Sequence, residues 1–423
     1  MRILHTSDWH LGRSVGPVSL SGDQEAFVDW LVGVVAAESV DLVVIAGDIY
    51  DRSIPPTESV VLFREALQRL RATGARVAAI TGNHDGADRV DTYHDLLDGS
   101  GVLLRGGYSA VGEVLTLDFA DGPLDLVLLP FLDPQQAPDD LSGEMDAALL
   151  TDGDTLHDTG DETGDDTVHD PGDDPRADGP LMLDAFERRV RRSHQSVLHA
   201  AVQVARRHLT GARSLAVAHA FVAGAASSDS ERPLTVGGSG TVAAATFRGF
   251  SYTALGHLHR PQRIGDRGII RYSGTPLPYS FSENHTKSVL LVDMAADGAC
   301  EVREVPIPVG RPVLTLTGSI DELLHGRPDA RAAGSLVRAV LTDPGVVLDA
   351  KQRLAQVYPY VVEIVLAPPT LPLGTSADPV DRRSHTPEQV VDRFWLDAVG
   401  VEPTDAERAW LHGALVAARQ DGA

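Results

Sequence analysis

The stretch Thr81-Gly82-Asn83-His84-Asp85 directly follows an apolar run, Val77-Ala78-Ala79-Ile80, that predicts a buried β-strand. Gly82 allows the chain to turn sharply where that strand ends. The three side chains after it can ligate a metal, move a proton or orient an imidazole ring. By itself Gly-Asn-His-Asp is also typical of an ordinary turn, because Asn and Gly favour turns. Its significance therefore depends on the residues that come after the other strands.

Polar residues follow four further apolar strands, which are predicted at residues 2–7, 42–46, 214–218 and 252–255. Helical spacing of apolar residues at 24–40 and 58–72 places helices between the first three strands, which is the alternation of an α/β fold. Sites in such folds form outside the carboxyl ends of the strands, so we expect the polar residues to converge there. These residues are Asp8 and His10, Asp48 and Asp51, His219, and His257 and His259.

Each of these signals is weak when taken alone. An Asp-x-His sequence after a strand is compatible with a capped turn, and a single His after a strand is more often structural than a ligand. In a regular strand, His257 and His259 would face the same side. Two unpaired imidazoles on one buried face are costly, and metal ligation relieves that cost.

Composition separates one acidic segment from the rest of the 423-residue chain. The net charge is −24, but residues 139–178 hold fifteen Asp and Glu against one Arg and so account for −14 of it. This segment, within a predicted insertion at 134–180, has a degenerate 12-residue repeat and few apolar residues. We therefore expect it to be disordered. An Asp/His-rich metal-scavenging segment is the alternative.

The remaining chain divides by its pattern. A long helix with a basic outer face is predicted from Leu183 to Leu209. Two capping boxes, beginning at Thr386 and Thr404, predict two amphipathic helices at the C-terminal end. Their apolar faces either pack back on this chain or dock a partner. The predicted domains are a main domain at 1–310, a small α/β capping domain at 311–367, a linker at 368–385 and a helical tail at 386–423.

The single Cys300 and the lack of an N-terminal signal pattern or an 18-residue apolar run predict a cytoplasmic protein without a membrane span. No G-x-x-x-x-G-K-[ST] loop occurs, so no ATP site is expected in this chain.

Taken in order, the blocks Asp-x-His, Gly-Asp-x-x-Asp, Gly-Asn-His-Asp, a single His and Gly-His-x-His resemble the calcineurin-like metallophosphoesterases. The segments at 4–13, 254–259, 272–276 and 280–283 further resemble a bacterial DNA-nuclease branch of that family. The resemblance covers about residues 1–130 and 181–310. It implies an α/β fold with a two-sheet α/β/β/α sandwich, followed by the capping domain and the two-helix tail.

The same resemblance implies the roles of individual residues. His84 would stabilise developing charge or protonate the leaving oxygen, and Asp85 would orient His84. Two Mn²⁺ ions are expected, with Mg²⁺, Fe²⁺ or Zn²⁺ as alternatives. Candidate substrate contacts are Arg13, Asp51 and Arg52. The implied metal ligands are Asp8, His10 and His259 for one ion, Asn83, His219 and His257 for the other, and Asp48 as the bridge.

The resemblance also implies the nuclease component of a DNA-repair complex. Such nucleases degrade duplex ends 3′→5′ and cut single strands and hairpins. They form a homodimer within a heterotetramer, associate with the nucleoid and work with a coiled-coil ATPase. One alternative is a phosphatase acting on small molecules or proteins, since the same site supports both chemistries. A second is a non-catalytic scaffold, which would be free to lose ligands.

Overall fold

The structure is a computed structural model that describes residues 1–138, 141, 192–211, 213–231, 240–326, 331–345, 347–367, 386–399 and 401–421. Most of the acidic insertion predicted at 134–180 lies outside the described residues, which include only 134–138 and Leu141 of it. The linker predicted at 368–385 also lies outside them. The chain forms two compact units, Met1–Leu314 with Ala330–Val337, and Thr315–Asp329 with Arg338–Ala423. Among the described helices, none has the length and apolar character needed to cross a membrane.

Strands and helices alternate through the first part of the chain. The α-helices are α1 (Ser21–Ala37), α2 (Thr57–Ala72), α3 (Ala87–Asp91), α4 (His94–Asp98), α5 (His194–Arg206), α6 (Ile320–His325), α7 (Ala350–Ala355), α8 (Pro387–Val399) and α9 (Asp405–Asp421). The strands are β1 (Arg2–Thr6), β2 (Ser14–Val15), β3 (Val18–Ser19), β4 (Leu42–Ala46), β5 (Arg76–Ile80), β6 (Val102–Arg105), β7 (Leu115–Phe119), β8 (Gly122–Leu129), β9 (Ser214–His219), β10 (Phe221–Val222), β11 (Thr241–Val242), β12 (Tyr252–Gly256), β13 (Gln262–Ile264), β14 (Ile270–Tyr272), β15 (Ser288–Met294), β16 (Cys300–Pro306), β17 (Val313–Gly318), β18 (Leu336–Leu341) and β19 (Val361–Leu366).

Two six-stranded sheets form the first unit. The first has the order β16-β15-β1-β4-β5-β6, and the second has the order β13-β14-β12-β9-β8-β7. Four neighbouring strands are parallel in each sheet, namely β1, β4, β5 and β6 in the first and β14, β12, β9 and β8 in the second. The carboxyl ends of these parallel strands therefore lie at one edge of each sheet.

Side chains that alternate along the strands pack the two sheets together. In β4, Val44 points into the core between the sheets, where it joins Val217 of the second sheet. The neighbouring Val43 points the other way, into the core that α1 and α2 cover. Helix α5 covers the outer face of the second sheet. These layers confirm the predicted α/β/β/α sandwich.

Helix α5 is shorter than the sequence pattern predicts. The predicted helix ran from Leu183 to Leu209, but the described helix begins at His194, because Ser193 is its N-cap residue and forms a capping box with Ser196. The Ser193 backbone is extended, with φ −108° and ψ 162°, and its side chain accepts from the backbone N–H of Ser196. The basic residues at 188–191 lie outside the described residues.

A three-stranded sheet with the order β17-β18-β19 forms near the C-terminal end. In the second unit, the Tyr358 hydroxyl donates to the Leu323 carbonyl at 2.8 Å, which joins α6 to the segment after α7. Helices α8 and α9 begin with the predicted capping boxes: Gln389 N–H donates to Thr386 Oγ1 at 3.3 Å, and Glu407 N–H donates to Thr404 Oγ1 at 3.4 Å.

Candidate metal centre

The polar residues after five strands meet where the two sheets are closest. β1, β4 and β5 deliver side chains from the first sheet, and β9 and β12 deliver them from the second. Two glycines make this arrangement possible. Gly256 lets the second sheet approach the first, since a Cβ there would lie 1.8 Å from the Ala46 carbonyl oxygen. Gly82 lets two strand-end turns of the first sheet approach each other, since a Cβ there would lie 2.1 Å from Asp48 Oδ1. A larger residue at Gly256 would push the two sheets apart, and one at Gly82 would displace the turn that holds Asp48.

The first ligand cluster contains Asp8, His10 and His259. The Nε2 atoms of the two histidines lie 3.3 Å apart, and potential ligand atoms of all three residues lie within 4.8 Å of one another. The Asp8 carboxylate accepts the backbone N–H of His257 at 3.0 Å and the Ser7 hydroxyl at 2.5 Å. These bonds fix the direction of the carboxylate.

The second ligand cluster contains Asn83, His219 and His257. Asn83 Oδ1 lies 3.0 Å from His219 Nε2 and 3.2 Å from His257 Nδ1. His219 Nδ1 faces the Ala46 carbonyl at 2.9 Å, and a carbonyl only accepts, so Nδ1 carries the proton of the neutral ring. Nε2 is then a second acceptor facing the amide oxygen. A cation is the partner that two such acceptors can share.

Asp48 lies between the two clusters. Its Oδ2 lies 3.6 Å from His10 Nε2 and 3.5 Å from His219 Nε2, whereas its Oδ1 accepts the backbone N–H of His84 at 2.9 Å. Because one carboxylate is within reach of both clusters, it can bridge two metal ions.

Burial tunes the clusters toward metal binding. Burial, reinforced by nearby imidazoles, lowers the pKa of His10 and of His257 well below the usual range. Neutral imidazole is the form that ligates metals. Burial first, and then the charge of Asp48, raises the pKa of Asp8. A cation would relieve this crowding of carboxylates.

Two buried polar atoms of the clusters, His10 Nδ1 and Asn83 Nδ2, have no hydrogen-bond partner within the described part of the chain. Mixed carboxylate, amide and imidazole donors suit first-row divalent cations. The residues at this site therefore fit a dinuclear metal centre.

Backbone strain is concentrated at the same site. Among the described residues, non-glycine residues with positive φ include Asp8 at 53°, His10 at 44°, Asp48 at 48° and His257 at 104°. Such conformations cost roughly 1–3 kcal/mol each and persist where surrounding structure enforces them. They aim the side chains at the centre instead of along the strands.

His257 and His259 do not share a face, because β12 ends at Gly256 before either residue. His257 faces Asn83, and His259 faces His10. The assumption of a regular strand was therefore wrong at this point. The turn instead gives one imidazole to each cluster.

His84 lies beside the first cluster, with its ring centroid 4.7 Å from that of His10. Its Nδ1 faces the Asp51 carbonyl oxygen at 2.9 Å, which leaves Nε2 free. The expected orienting role of Asp85 is not what the structure shows. Asp85 accepts the backbone N–H groups of Ile49, Tyr50 and Gly82 at 2.8–3.0 Å. Asp85 thus ties the two strand-end turns together, and a backbone carbonyl orients His84.

The candidate substrate contacts differ in their surroundings. Arg13 Nη1 lies 3.0 Å from Asp51 Oδ1, and its guanidinium lies 5.0 Å from the centroid of the Tyr279 ring. The Asp51 carboxylate is also 3.8 Å from His10 Nδ1. Arg52 is exposed. Arg13 and Asp51 therefore border the centre, and Arg52 lies on the surface beside them.

The sequence did not indicate a role for Ser230, Glu283 or Gln24, which contact His259 and His10 on the side away from the centre. His259 Nδ1 lies 2.6 Å from Ser230 Oγ, which in turn lies 2.5 Å from Glu283 Oε1. Gln24 donates to the carbonyl oxygen of His10 at 2.8 Å. Ser230 belongs to a Gly/Ser-rich loop and Glu283 to one of the segments that resemble nucleases, but spacing alone does not reveal their contact.

A sandwich that brings two imidazole-containing clusters together around a shared carboxylate defines the class of dinuclear-metal phosphoesterases. The family model described as "Calcineurin-like phosphoesterase" matches residues 1–173. A crystal structure of a dimetal phosphatase from Danio rerio aligns with 73% of this chain and 98% of its own at 13% identity, but its TM-score of 0.36 is too low to support the assignment.

Three bacterial relatives are named as the D subunit of the nuclease SbcCD. The Bacillus subtilis protein is 34% identical over 74% of this chain and 71% of its own length. The Escherichia coli K12 protein is 28% identical over 76% and 72%. The Staphylococcus epidermidis protein is 26% identical over 86% and 85%. This chain therefore belongs to the SbcD family of metal-dependent phosphodiesterases, within the calcineurin-like phosphoesterases, as its motifs predict.

Proposed function

We propose that this protein is the Mn²⁺-dependent nuclease subunit of an SbcCD-type DNA-repair complex. It would degrade duplex ends 3′→5′ and cut single strands and hairpins. The observation that carries the proposal is Asp48 within reach of two histidine-containing clusters, with His84 beside them. This chain is similar to relatives named as nuclease subunits over most of their length, which favours DNA as the substrate.

The assigned ligands of one ion are Asp8, His10 and His259, those of the other are Asn83, His219 and His257, and Asp48 bridges. Two divalent cations held there would supply Lewis-acid activation of the phosphodiester and a nucleophile at neutral pH. The mixed donor set suits Mn²⁺, with Mg²⁺, Fe²⁺ and Zn²⁺ as competitors.

His84 is the proposed acid and charge stabiliser. Its Nδ1–H donates to the Asp51 carbonyl, so the ring is held with Nε2 on the side of His10. When the ring is protonated, Nε2–H can donate to a phosphoryl oxygen or to the leaving 3′-oxygen. Asp85 supports this geometry through the turn of Ile49 and Tyr50. Arg13 is a candidate phosphate contact, because Asp51 and the Tyr279 ring hold its guanidinium at the border of the centre.

The test is a Mn²⁺ titration with end-labelled linear duplex DNA, run beside a generic phosphomonoester. We expect shortened DNA products only when Mn²⁺ is present, with little hydrolysis of the monoester. Removing the metal with EDTA should stop the reaction, and adding Mn²⁺ back should restore it. Hydrolysis of the monoester alone would favour the phosphatase alternative. Two bound metals with no hydrolysis of either substrate would favour the scaffold.

The helical tail is the proposed dock for a coiled-coil ATPase of the SbcC type. Helices α8 and α9 hold each other through His412 and Asp392, whose Nε2 and Oδ1 atoms lie 3.0 Å apart. Phe394 is nevertheless 72% exposed and Trp410 69% exposed. Large exposed apolar side chains on paired amphipathic helices are typical of partner-binding surfaces. The assembly would be a heterotetramer around a homodimer of this chain, placed in the cytoplasm with the nucleoid.

Truncation after Leu373 is expected to leave a folded, Mn²⁺-dependent nuclease that no longer copurifies with the ATPase. The tail carries the exposed Phe394 and Trp410, whereas the metal centre lies wholly in the first unit. Copurification, melting temperature and nuclease rate of the full chain and the truncated chain provide the comparison.

In the full chain, Phe394→Ala combined with Trp410→Ala should also weaken binding, whereas Glu402→Ala, at a 79% exposed side chain on the same tail, should not. Undiminished partner binding by the truncated chain would show that the tail is not the dock. Unfolding of the truncated chain would show that both helices belong to the core.

A further inference from the structure

A chain of three side chains runs outward from the first ligand cluster. The Ser230 hydroxyl contacts His259 Nδ1 at 2.6 Å and Glu283 Oε1 at 2.5 Å. A carboxylate only accepts, so the hydroxyl proton points to Glu283. Ser230 Oγ is then the acceptor for His259 Nδ1–H. This direction leaves the lone pair of His259 on Nε2, the atom that faces His10.

The buried Glu283 carboxylate accepts hydrogen bonds from several donors besides Ser230. Glu283 is 1% exposed, and its carboxylate accepts hydrogen bonds from the Thr275 hydroxyl at 2.9 Å, the Tyr279 backbone N–H at 3.3 Å and the Lys287 ammonium. Lys287 is one of only two lysines in the sequence, and it is 7% exposed. Burying an ion pair is costly and adds little net stability, so such a pair is weak evidence for a purely structural role.

The backbone of His259 is fixed by a separate contact. Glu231 Oε1 accepts the backbone N–H of His259 at 2.8 Å, and the other Glu231 oxygen accepts the backbone N–H of Ser228. Ser230 and Glu231 therefore hold the ring and the backbone of one residue from a single loop. Both residues are half-buried on this loop, outside the strands of the two sheets.

We propose that Lys287, Glu283 and Ser230 form a positioning relay that selects the Nδ1–H form of His259 and aims its Nε2 at the metal ion of the first cluster. The relay rests on the proposed metal-binding role of His259. Lys287 donates to Glu283 and holds it in place, Glu283 orients the Ser230 hydroxyl, and Ser230 orients the imidazole. None of the three residues is a ligand.

Ser230→Ala is the test, since it removes the relay atom without leaving a buried charge unpaired. Outer contacts of this kind typically change metal affinity by 10–100-fold, so we expect Mn²⁺ to bind one site of the variant about 10-fold more weakly by calorimetric titration. In the metal-free protein, ¹⁵N NMR of the histidine side chains should show His259 shifting from the Nδ1–H form to a mixture.

Ser227→Ala is the matched control, because Ser227 is an exposed serine on the same loop. It should leave both readouts unchanged, and Ser230→Thr should restore them because it returns a hydroxyl. A titration of Ser230→Ala that superimposes on that of the wild type, or a His259 tautomer that does not change, would overturn the relay. Failure of the wild-type protein to bind Mn²⁺ would instead contradict the proposed function.

Discussion

Asp48→Ala is expected to abolish detectable DNA cleavage and to reduce the bound metal from two ions per chain to one or none. Asp48 Oδ2 lies within 3.6 Å of the Nε2 atoms of both His10 and His219, so one substitution would remove a proposed ligand from both clusters. Elemental analysis gives the metal content, and the end-labelled duplex assay gives the rate. The fold should survive, because the charge of Asp48 raises the pKa values of Asp8 and Asp85, after burial itself, and is therefore repulsive in the metal-free protein.

Thermal unfolding separates this outcome from simple misfolding. A ligand at 100 times its Kd stabilises a native protein by about 2.7 kcal/mol per site. We therefore expect Mn²⁺ to raise the Tm of the wild type and to have a much smaller effect on Asp48→Ala, with similar Tm values when metal is absent. Asp29→Ala, which removes an exposed carboxylate paired with Arg69, should behave as the wild type. Two tightly bound metals in Asp48→Ala would mean that Asp48 is not the bridge.

His84→Ala is expected to slow cleavage by about 10²–10⁴-fold while keeping both metal ions, since positioned acids and charge stabilisers typically contribute that much. His84 contacts the centre through its ring, but the assigned ligand set is complete without it. Single-turnover cleavage rates and metal content, measured on the same preparation, distinguish loss of chemistry from loss of metal.

His208→Ala provides the matched control, because His208 is exposed at the end of α5, away from the centre. It should cleave at the wild-type rate. A His84→Ala protein that lacks metal would instead make His84 a ligand. Ligand atoms of His84, His10 and Asp48 lie within 4.8 Å of one another, so the geometry also allows His84 to bind a metal ion.

Much of the fold and the site could be predicted because the signals are local. Apolar runs such as Leu42–Ala46 are buried on both faces, so their lengths and order specify parallel strands between layers. The polar residues after each run are then expected to meet at one site, because sites form outside the carboxyl ends of such strands. The order of the five motifs along the chain predicted the calcineurin-like family, and the family model and the bacterial relatives confirm that prediction.

The remaining features depend on contacts between distant segments. Asp85 was assigned to its sequence neighbour His84, but its carboxylate binds the turn around Tyr50, 35 residues away. Glu283 and Ser230 are 53 residues apart, and no periodicity connects them. The start of α5 was misjudged because helical spacing continues past Ser193, whose side-chain cap overrides it. Contacts between distant segments, unlike periodicity, are not encoded in any single window of sequence, whereas the Ser193 cap is a local signal that the longer apolar periodicity concealed.

The separation of the candidate ligands along the chain limits when the complete site can form during synthesis. Asp8 receives the backbone N–H of His257 across 249 residues of chain, and the first-sheet ligands precede the second-sheet ligands in translation. A nascent chain that has completed β5 holds Asp8, Asp48 and Asn83 but lacks every second-sheet imidazole. We therefore expect tight metal binding only after the chain through His259 has been synthesised and the second sheet has docked on the first.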